Sequence, residues 1–317
     1  MSAEPRSRNP LRAIERWIFA PEDPRRLAAL RIGLFGVVAI RLATNDDYSR
    51  VAGQPRELFD PVSLFHLLSS MPSPGLTSVL LVLGTIAALA AAAGVAPRVS
   101  FPAAFALALF LNLMLNATGK IIHNDVAVTL CLIPLLAVPT AASRAWSLPR
   151  LWRRGESAPT PTPSAAYGWP VRTAMIVVAF AYLFAGLQKM RYAGPDWFLT
   201  DNLRYVLWAS SDTQADPNWL GLFVADHDWI AHFFAVMTIV TEVGFILCLP
   251  FRNLRWFFVP SAVGLHIGIW IAMGLDYLPQ AAAVIIVFVN WAWLSDYLRQ
   301  RRAPARRGPA QPGEVGA

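Results

Sequence analysis

The stretch FAGLQKMRYAGPDWF, residues 184–198, decides the fold class, because a long apolar segment ends there in basic and aromatic residues. The apolar segment, about residues 170–189, has the ~20 residues that a helix needs to cross the hydrocarbon core of a bilayer. Tryptophan, tyrosine and basic side chains are typical of the membrane–water interface. The stretch therefore predicts a transmembrane helix that leaves the membrane close to Lys189.

The composition extends this prediction to the whole chain. Of its 317 residues, 56% are hydrophobic and only 15% are charged, which is unlike a soluble domain. We expect an all-α, polytopic membrane protein with about eight transmembrane helices. The candidate spans lie at about residues 27–44, 76–95, 100–118, 125–142, 170–189, 229–250, 255–274 and 279–297.

Arginine placement predicts the orientation. Arginines precede the first span, follow the last, and lie in every second connection between, as the positive-inside rule requires of cytoplasmic segments. We expect both termini to be cytoplasmic and the protein to be a multi-pass protein of the cell membrane. The net charge of +7 arises from these loops, so the predicted partner is the lipid bilayer and not nucleic acid. Arg31 and Arg41, inside the first span, are expected to snorkel inward and outward, respectively.

Three regions are predicted along the chain. Residues 1–26 form a cytoplasmic segment that contains a short amphipathic, interfacial helix at about 9–20. Residues 27–298 form the membrane domain, and residues 299–317 form a disordered basic tail.

Lys189 is one of two lysines in a chain whose other basic residues are arginines. A desolvated lysine can become a neutral amine that acts as a base, whereas arginine cannot; the alternative is a snorkelling anchor. Tyr182 and Gly186 share a helical face with Lys189, at i, i+4 and i+7. We expect the glycine to leave space for a small ligand beside the amine.

A second polar stripe precedes the fourth span. Asn112, Asn116 and Lys120 are spaced i, i+4 and i+8, and GKIIHND (119–125) follows with His123 at the mouth of that span. The stripe is a candidate contact surface for the same ligand, and a solvated turn is the alternative for Lys120.

Glu242 and His266 lie inside the sixth and seventh spans at similar depth, so we expect them to form a hydrogen-bonded pair. Such a pair either ties two helices together or relays protons. No metal site is expected, because the histidines lack ligand spacing, and Cys131 and Cys248 are single.

Four motifs in this order resemble the horizontally transferred transmembrane (HTTM) domain family, which includes vitamin K-dependent gamma-carboxylase and many bacterial membrane proteins. They are GKIIHND, AYLFAGLQKMRYAGPDWF (181–198), TEVGF (241–245) and GLHIGIWIAMG (264–274), and the likeness spans about residues 20–298. It implies that Lys189, which matches the lysine of the carboxylase AGxxK stretch, deprotonates vitamin K hydroquinone so that dioxygen can add to its ring. His123 would assist on the same, non-cytoplasmic side.

The resemblance favours a quinol oxygenase (epoxidase) or carboxylase of the carboxy-lyase class. Its implied cofactors are reduced vitamin K or menaquinol with O₂ and CO₂, and no metal. Two alternatives remain open. One is a non-enzymatic membrane partner in the maturation of a secreted peptide, as in sporulation-delaying toxin systems. The other is a proton-coupled transporter that uses Glu242 and His266.

Overall fold

The computed structural model describes residues 10–120, 122–152, 162–213 and 218–302. In these ranges the chain forms helices and turns, with two isolated β-bridges and no β-strand, which confirms the all-α prediction. The α-helices are α1 Pro10–Ile18, α2 Pro24–Thr44, α3 Asp47–Val51, α4 Pro74–Ala93, α5 Pro97–Asn116, α6 Val126–Ala137, α7 Pro139–Ala142, α8 Leu148–Trp152, α9 Ala165–Tyr192, α10 Asp196–Leu199, α11 Asn202–Asp212, α12 Trp219–Asp226, α13 Asp228–Gly244, α14 Arg255–Met273, α15 Leu278–Phe288 and α16 Trp291–Arg302.

Six helices are long and apolar enough to cross a membrane, namely α2, α4, α5, α9, α13 with its 3₁₀ extension Phe245–Cys248, and α14. The helices α15 and α16 meet at 73° and would make a seventh span if they crossed together. The protein is therefore a helical membrane protein with several spans, but within the described residues the predicted number of eight is not reached.

The fourth and eighth predicted spans are broken for local backbone reasons. The helix α6 has only 12 residues and ends before Val138, which precedes Pro139. A proline disfavours the helical conformation of the residue before it and lacks an N–H for the helix ladder. In the eighth segment α15 ends at Phe288, and Val289 is extended, with φ −73° and ψ 133°.

The helix α2 is the centre of the bundle. It packs against α4, α6, α9 and α15. Its buried side chains include Leu34, Phe35 and Val38, and they belong to the main hydrophobic core. The helix α9 is the second hub and packs against α6, α13 and α15. Of these two helices, α9 carries Tyr182, Gly186 and Lys189 of the candidate site.

Arg31 does not snorkel, contrary to the prediction. It is 0% exposed, and its guanidinium donates hydrogen bonds to the backbone oxygens of Ala92 at 3.1 Å, Ala142 at 2.9 Å and Trp146 at 2.6 Å. These carbonyls lie at and just beyond the ends of α4 and α7. Unpaired helix-terminal carbonyls need donors, and Arg31 supplies them from inside the protein.

The two terminal regions are partly described. The helix α1 confirms the predicted short N-terminal helix, and none of its residues is buried. At the other end α16 continues to Arg302, so the first four residues of the predicted disordered tail are helical. The remainder of that tail, residues 303–317, lies outside the described residues, as do residues 1–9.

Candidate functional site

Lys189 and Glu242 form the charged centre of the candidate site. Lys189 lies in the last turn of α9, and its Nζ donates hydrogen bonds to both carboxylate oxygens of Glu242 on α13, at 2.7 and 2.8 Å. The Glu242 side chain is 9% exposed and that of Lys189 26%. A two-oxygen ion pair at this degree of burial holds both side chains in one geometry.

Gly186 explains how the two helices come so close. A Cβ atom at position 186 would lie 2.7 Å from Cγ2 of Val243 and 3.0 Å from Cβ of Glu242. Small residues permit this kind of approach between membrane helices. The space over Gly186 is filled by α13 and not left for a ligand, which corrects the expectation from sequence. The glycine therefore positions Glu242 against Lys189.

His266 is not the partner of Glu242, so the predicted Glu242–His266 pair is wrong. The carboxylate turns to α9 instead. Within the described residues, Nδ1 of His266 and the hydroxyl of Tyr182 are buried without a hydrogen-bond partner. The Tyr182 ring stacks on Phe245 at 4.5 Å between centroids and meets the His266 ring edge-on at 5.5 Å. The site thus contains polar atoms that the protein itself leaves unsatisfied.

Tyr277 links His266 to His123, although nothing in its local sequence distinguished it. Its ring stacks on His266 with centroids 5.8 Å apart, and its hydroxyl lies 2.9 Å from Nε2 of His123. Burial raises the pKa of Tyr277, so the phenol keeps its proton at neutral pH and can donate it to Nε2. His123 is exposed, and Tyr277 connects it to the ring of His266.

Trp197 covers the Lys189 ammonium from α10. The ring centroid lies 5.4 Å from Nζ, within the range of a cation–π interaction. The indole Nε1 is buried and has no hydrogen-bond partner in the described part of the chain. The helix α10 is followed by α11 and α12, and together they pack over α13 and α14. We call these three helices the cap.

The second predicted stripe holds the fold together. Asn112 accepts a hydrogen bond from the Tyr48 hydroxyl at 3.1 Å and donates one to Thr129 at 3.3 Å. The Asn116 side chain accepts a hydrogen bond from the backbone N–H of Ile122 at 2.6 Å and donates one to its C=O at 3.0 Å, which fixes the turn. Lys120 is exposed. Both amides take part in hydrogen bonds that hold the helices and the turn, which favours a structural role over the predicted ligand contact.

The cavity beside Asn112 is also too small for a quinol. Its volume is about 10 Å³, and its walls include Arg41, Tyr48, Asn112 and Asp125. A volume of this size corresponds to about one water molecule. The predicted ligand pocket is therefore not at this stripe.

Arg41 forms an ion-pair triad near this small cavity. Its guanidinium bonds both oxygens of Asp125, at 2.9 and 3.2 Å, and also bonds Asp276. The triad ties the end of α2 to the starts of α6 and α15. Arg41 was expected to snorkel outward, and its pairing with two acids was not foreseen.

A larger, apolar groove lies along α13 and α14, and neither Glu242 nor His266 lines it. Its volume is about 410 Å³, and it is bordered by α11, α12, α13 and α14. Thr241 and Leu265, the residues immediately before Glu242 and His266, line it. The size falls in the range of small-molecule sites.

One cluster has the composition of a metal site. Ligand atoms of Asp201, Asp228 and His232 lie within 4.8 Å of one another. The Arg204 guanidinium, however, is 2.9 Å from Asp201 and 3.4 Å from Asp228. A cation already neutralises these carboxylates, so their arrangement supports no metal assignment, and the absence of a metal remains a prediction.

The comparisons with known proteins gave one match. The family model described as the HTTM domain matches residues 19–293. No curated protein and no solved structure matches the chain significantly. The matched range includes all four sequence motifs and every residue of the site described above.

Proposed function

The chain belongs to the HTTM domain family, and from that premise we propose that it is a carboxylase-like quinol oxygenase in which Lys189 and Glu242 form the acid–base centre. The cell membrane is its proposed location, with the centre toward the non-cytoplasmic side. The proposal rests on one observation above the others, the two-oxygen ion pair between Lys189 and Glu242 at 2.7 and 2.8 Å.

The ion pair gives Lys189 a nearby group that can accept its proton, which a lone lysine would lack. A base must be able to exist as the neutral amine, and an isolated ammonium would first have to release its proton to water. Glu242 can take that proton across 2.7 Å. Proton transfer within the pair leaves two neutral groups, and burying neutral groups costs less desolvation free energy than burying two charged ones. Lys189 then accepts the proton of a phenolic hydroxyl, and Glu242 is its proton reservoir.

The unsatisfied atoms around the pair fit a phenolic ligand. The Tyr182 hydroxyl, His266 Nδ1 and Trp197 Nε1 are buried without partners in the described residues. Buried polar groups are normally hydrogen-bonded, and a quinol offers hydroxyl groups that both donate and accept. Trp197 covers one side of the ammonium, whose side chain is 26% exposed.

The proposed ligand is reduced vitamin K or menaquinol. Its reaction with O₂ yields the quinone epoxide and water. We further propose that CO₂ and a secreted peptide or protein are the other substrates, as the carboxylase likeness implies. The transporter alternative uses Glu242 and His266, and the Glu242 carboxylate is paired with Lys189.

The test is quinone epoxide formation in lipid nanodiscs. The protein is supplied with reduced menaquinone and oxygen, and the epoxide is measured by mass spectrometry. We expect Lys189→Ala and Glu242→Gln each to lower the rate by 10²-fold or more, the usual effect of removing a general base. Lys120→Ala is the matched control, because Lys120 is the other lysine and is exposed.

Two results would contradict the proposal. Epoxide formed at the same rate by Lys189→Ala would exclude the pair as the acid–base centre. No epoxide from correctly folded wild-type protein would favour the alternative of a non-enzymatic partner, whose complex with a secreted peptide should survive Lys189→Ala.

A further inference from the structure

Three arginines meet at the end of the bundle opposite the Lys189–Glu242 pair. Arg26, Arg172 and Arg255 lie near the starts of α2, α9 and α14, and we call them the arginine cluster. Lys189 follows Arg172 along α9 by about 25 Å at 1.5 Å per residue. The cluster is therefore separate from the proposed acid–base centre and lies at the opposite surface of the membrane.

Within the described residues, Glu22 is the one acid that pairs with the arginine cluster. Its Oε2 accepts hydrogen bonds from Arg26 at 2.8 Å and from Arg172 at 3.3 Å. Arg255 is instead repelled by the charges of Arg26, Arg172 and Arg252. The side chains of Arg26 and Arg172 are each only 12% exposed, and partly buried charges are screened little by salt. The cluster thus has a surplus of positive charge that solvent compensates poorly.

Some donor nitrogens of the cluster have no acceptor. The Nε of Arg26 is buried and has no hydrogen-bond partner in the described part of the chain. The Nε of Arg255 donates to the backbone oxygen of Cys248 at 2.9 Å, whereas its two terminal nitrogens bond none of the described residues. Buried polar groups are normally hydrogen-bonded, and a guanidinium can only donate. A ligand that satisfies these nitrogens must supply acceptors, and the surplus charge requires an anion.

The helix α1 places the cluster at the membrane interface. The Trp17 ring lies 5.9 Å from the guanidinium carbon of Arg172. On the same helix Leu11 and Ile14 are exposed, and Arg16 supplies a positive charge in the last turn. Short helices that combine exposed apolar side chains with basic ones lie in the plane of the interface, with the apolar side chains among the lipids. The cluster therefore faces the layer of lipid head groups.

The helix α16 is tied to the same end of α2. Arg25, the neighbour of Arg26, donates to both carboxylate oxygens of Asp296, at 2.5 and 2.9 Å. The helix α16 has 12 residues, which is too short to cross a bilayer alone, and it turns away from α15 at 73°. Its Trp293 is exposed, as is typical of tryptophan at the interface. Two peripheral helices thus lie at the membrane surface where the arginines meet.

We propose that Arg26, Arg172 and Arg255 bind the phosphate group of an anionic phospholipid in the adjoining leaflet, which the arginine pattern predicts to be the cytoplasmic one. A lipid phosphate supplies both the acceptor oxygens and the negative charge that the cluster lacks, and guanidinium groups suit its geometry. A free phosphate has the same chemistry, but the exposed apolar side chains of α1 and α16 favour a ligand that belongs to the membrane. The site goes beyond the proposed function and does not depend on it.

Native mass spectrometry of the full-length protein in detergent measures the lipid affinity. Phosphatidylglycerol is titrated in parallel with phosphatidylcholine of the same acyl chains, in which the choline cancels the phosphate charge. We expect phosphatidylglycerol to bind more tightly. Arg255→Gln should weaken its binding about tenfold or more, the usual effect of losing charge-assisted hydrogen bonds. Arg98→Gln is the matched control, because Arg98 lies at the start of α5 on the same membrane face and is exposed; it should leave the affinity unchanged.

Three results would overturn the proposal. Equal loss of affinity in Arg255→Gln and Arg98→Gln would mean that the charge of the whole membrane face attracts the lipid. Equal affinity for the two lipids would mean that the cluster does not select an anion. Displacement of phosphatidylglycerol by millimolar inorganic phosphate, which we expect not to occur, would make free phosphate the ligand.

Thermal unfolding of the wild-type protein gives a second readout that needs no variant. A ligand that binds the folded state alone raises the unfolding midpoint. In detergent, phosphatidylglycerol should raise the midpoint more than phosphatidylcholine does, and the difference should shrink at high salt because exposed parts of the interaction are screened. The same midpoint with both lipids would contradict a site for an anionic head group.

Discussion

Gly186 lies against Glu242, one turn before the lysine that Glu242 binds. A Cβ added at Gly186 would be 3.0 Å from Cβ of Glu242 and 3.2 Å from the backbone nitrogen of Val243. Contacts this short leave no room for a methyl group unless α9 and α13 separate. The glycine therefore sets the distance between the helices at which Lys189 reaches both carboxylate oxygens.

Replacing Gly186 by alanine should separate the two helices and weaken the ion pair. Overpacking of this kind typically costs about 1–3 kcal/mol, so we expect a lower midpoint of thermal unfolding in detergent and a loss of epoxide formation. Gly36→Ala, in the open part of α2, is the control and should be neutral or slightly stabilising. An alanine at 186 with unchanged stability and activity would show that the close approach has no role.

The Lys189–Glu242 pair should show strong coupling in a double-mutant cycle. Lys189→Met or Glu242→Leu alone leaves one buried charge unpaired, which costs about 3 kcal/mol or more. The double variant removes both charges and should be more stable than either single variant. Denaturant unfolding of the four proteins measures the coupling. Additive losses would mean that the two groups do not interact in the membrane.

The spans were largely predictable because their signal is local. Six of the eight predicted segments correspond to continuous helices that are long enough to cross. Apolar content could not locate the breaks at Val138 and Val289, because both residues are apolar. Pro139 was a readable signal for the first break. At Val289 the chain contains no proline or glycine to mark the turn.

The sequence identified most residues of the site but not which of them contact each other. Lys189, Glu242, Tyr182 and His266 were all singled out, and helix rise placed Glu242 and His266 at similar depth. Depth does not give the rotation of a helix about its axis, which decides that Glu242 faces α9. Gly186 carried that information, since a glycine one turn from Lys189 indicates close approach of another helix. Tyr277 and the acids that bind Arg41 depend on long-range contacts that spacing does not encode.

Arg31 should not be replaceable by lysine. Its guanidinium bonds the backbone oxygens of Ala92, Ala142 and Trp146 from three nitrogens. A lysine has one ammonium and cannot span these positions, and each buried carbonyl left unsatisfied costs about 1–3 kcal/mol. We expect Arg31→Lys and Arg31→Met both to lower thermal stability strongly, while Arg12→Met, on exposed α1, changes it little. A fully stable Arg31→Lys protein would contradict this account.

The two acids that bind Arg41 should contribute unequally. The Asp125 side chain is 11% exposed and bonds two guanidinium nitrogens, whereas that of Asp276 is 42% exposed. Solvent-exposed ion pairs contribute at most about 1 kcal/mol, and loss of one partner of a buried pair costs about 3–5 kcal/mol. Asp125→Asn should therefore destabilise the protein more than Asp276→Asn in thermal unfolding. Equal effects would place both acids in a similar environment.

Tyr277 should fix the proton of His123 on Nδ1. Burial raises the pKa of Tyr277, so its phenol is protonated at neutral pH and has a hydrogen to donate in the 2.9 Å contact with Nε2 of His123. A neutral histidine whose Nε2 accepts a hydrogen bond carries its proton on Nδ1. In Tyr277→Phe the ring can still stack on His266, but the donor is gone. We expect the ¹⁵N chemical shifts of labelled His123 to move away from the Nδ1–H form in that variant, with a loss of stability of about 1 kcal/mol. Assignment uses His123→Gln, which removes one of the five histidine signals. Unchanged shifts in Tyr277→Phe would mean that the phenol does not control this tautomer and that His123 is coupled to the buried rings only by contact.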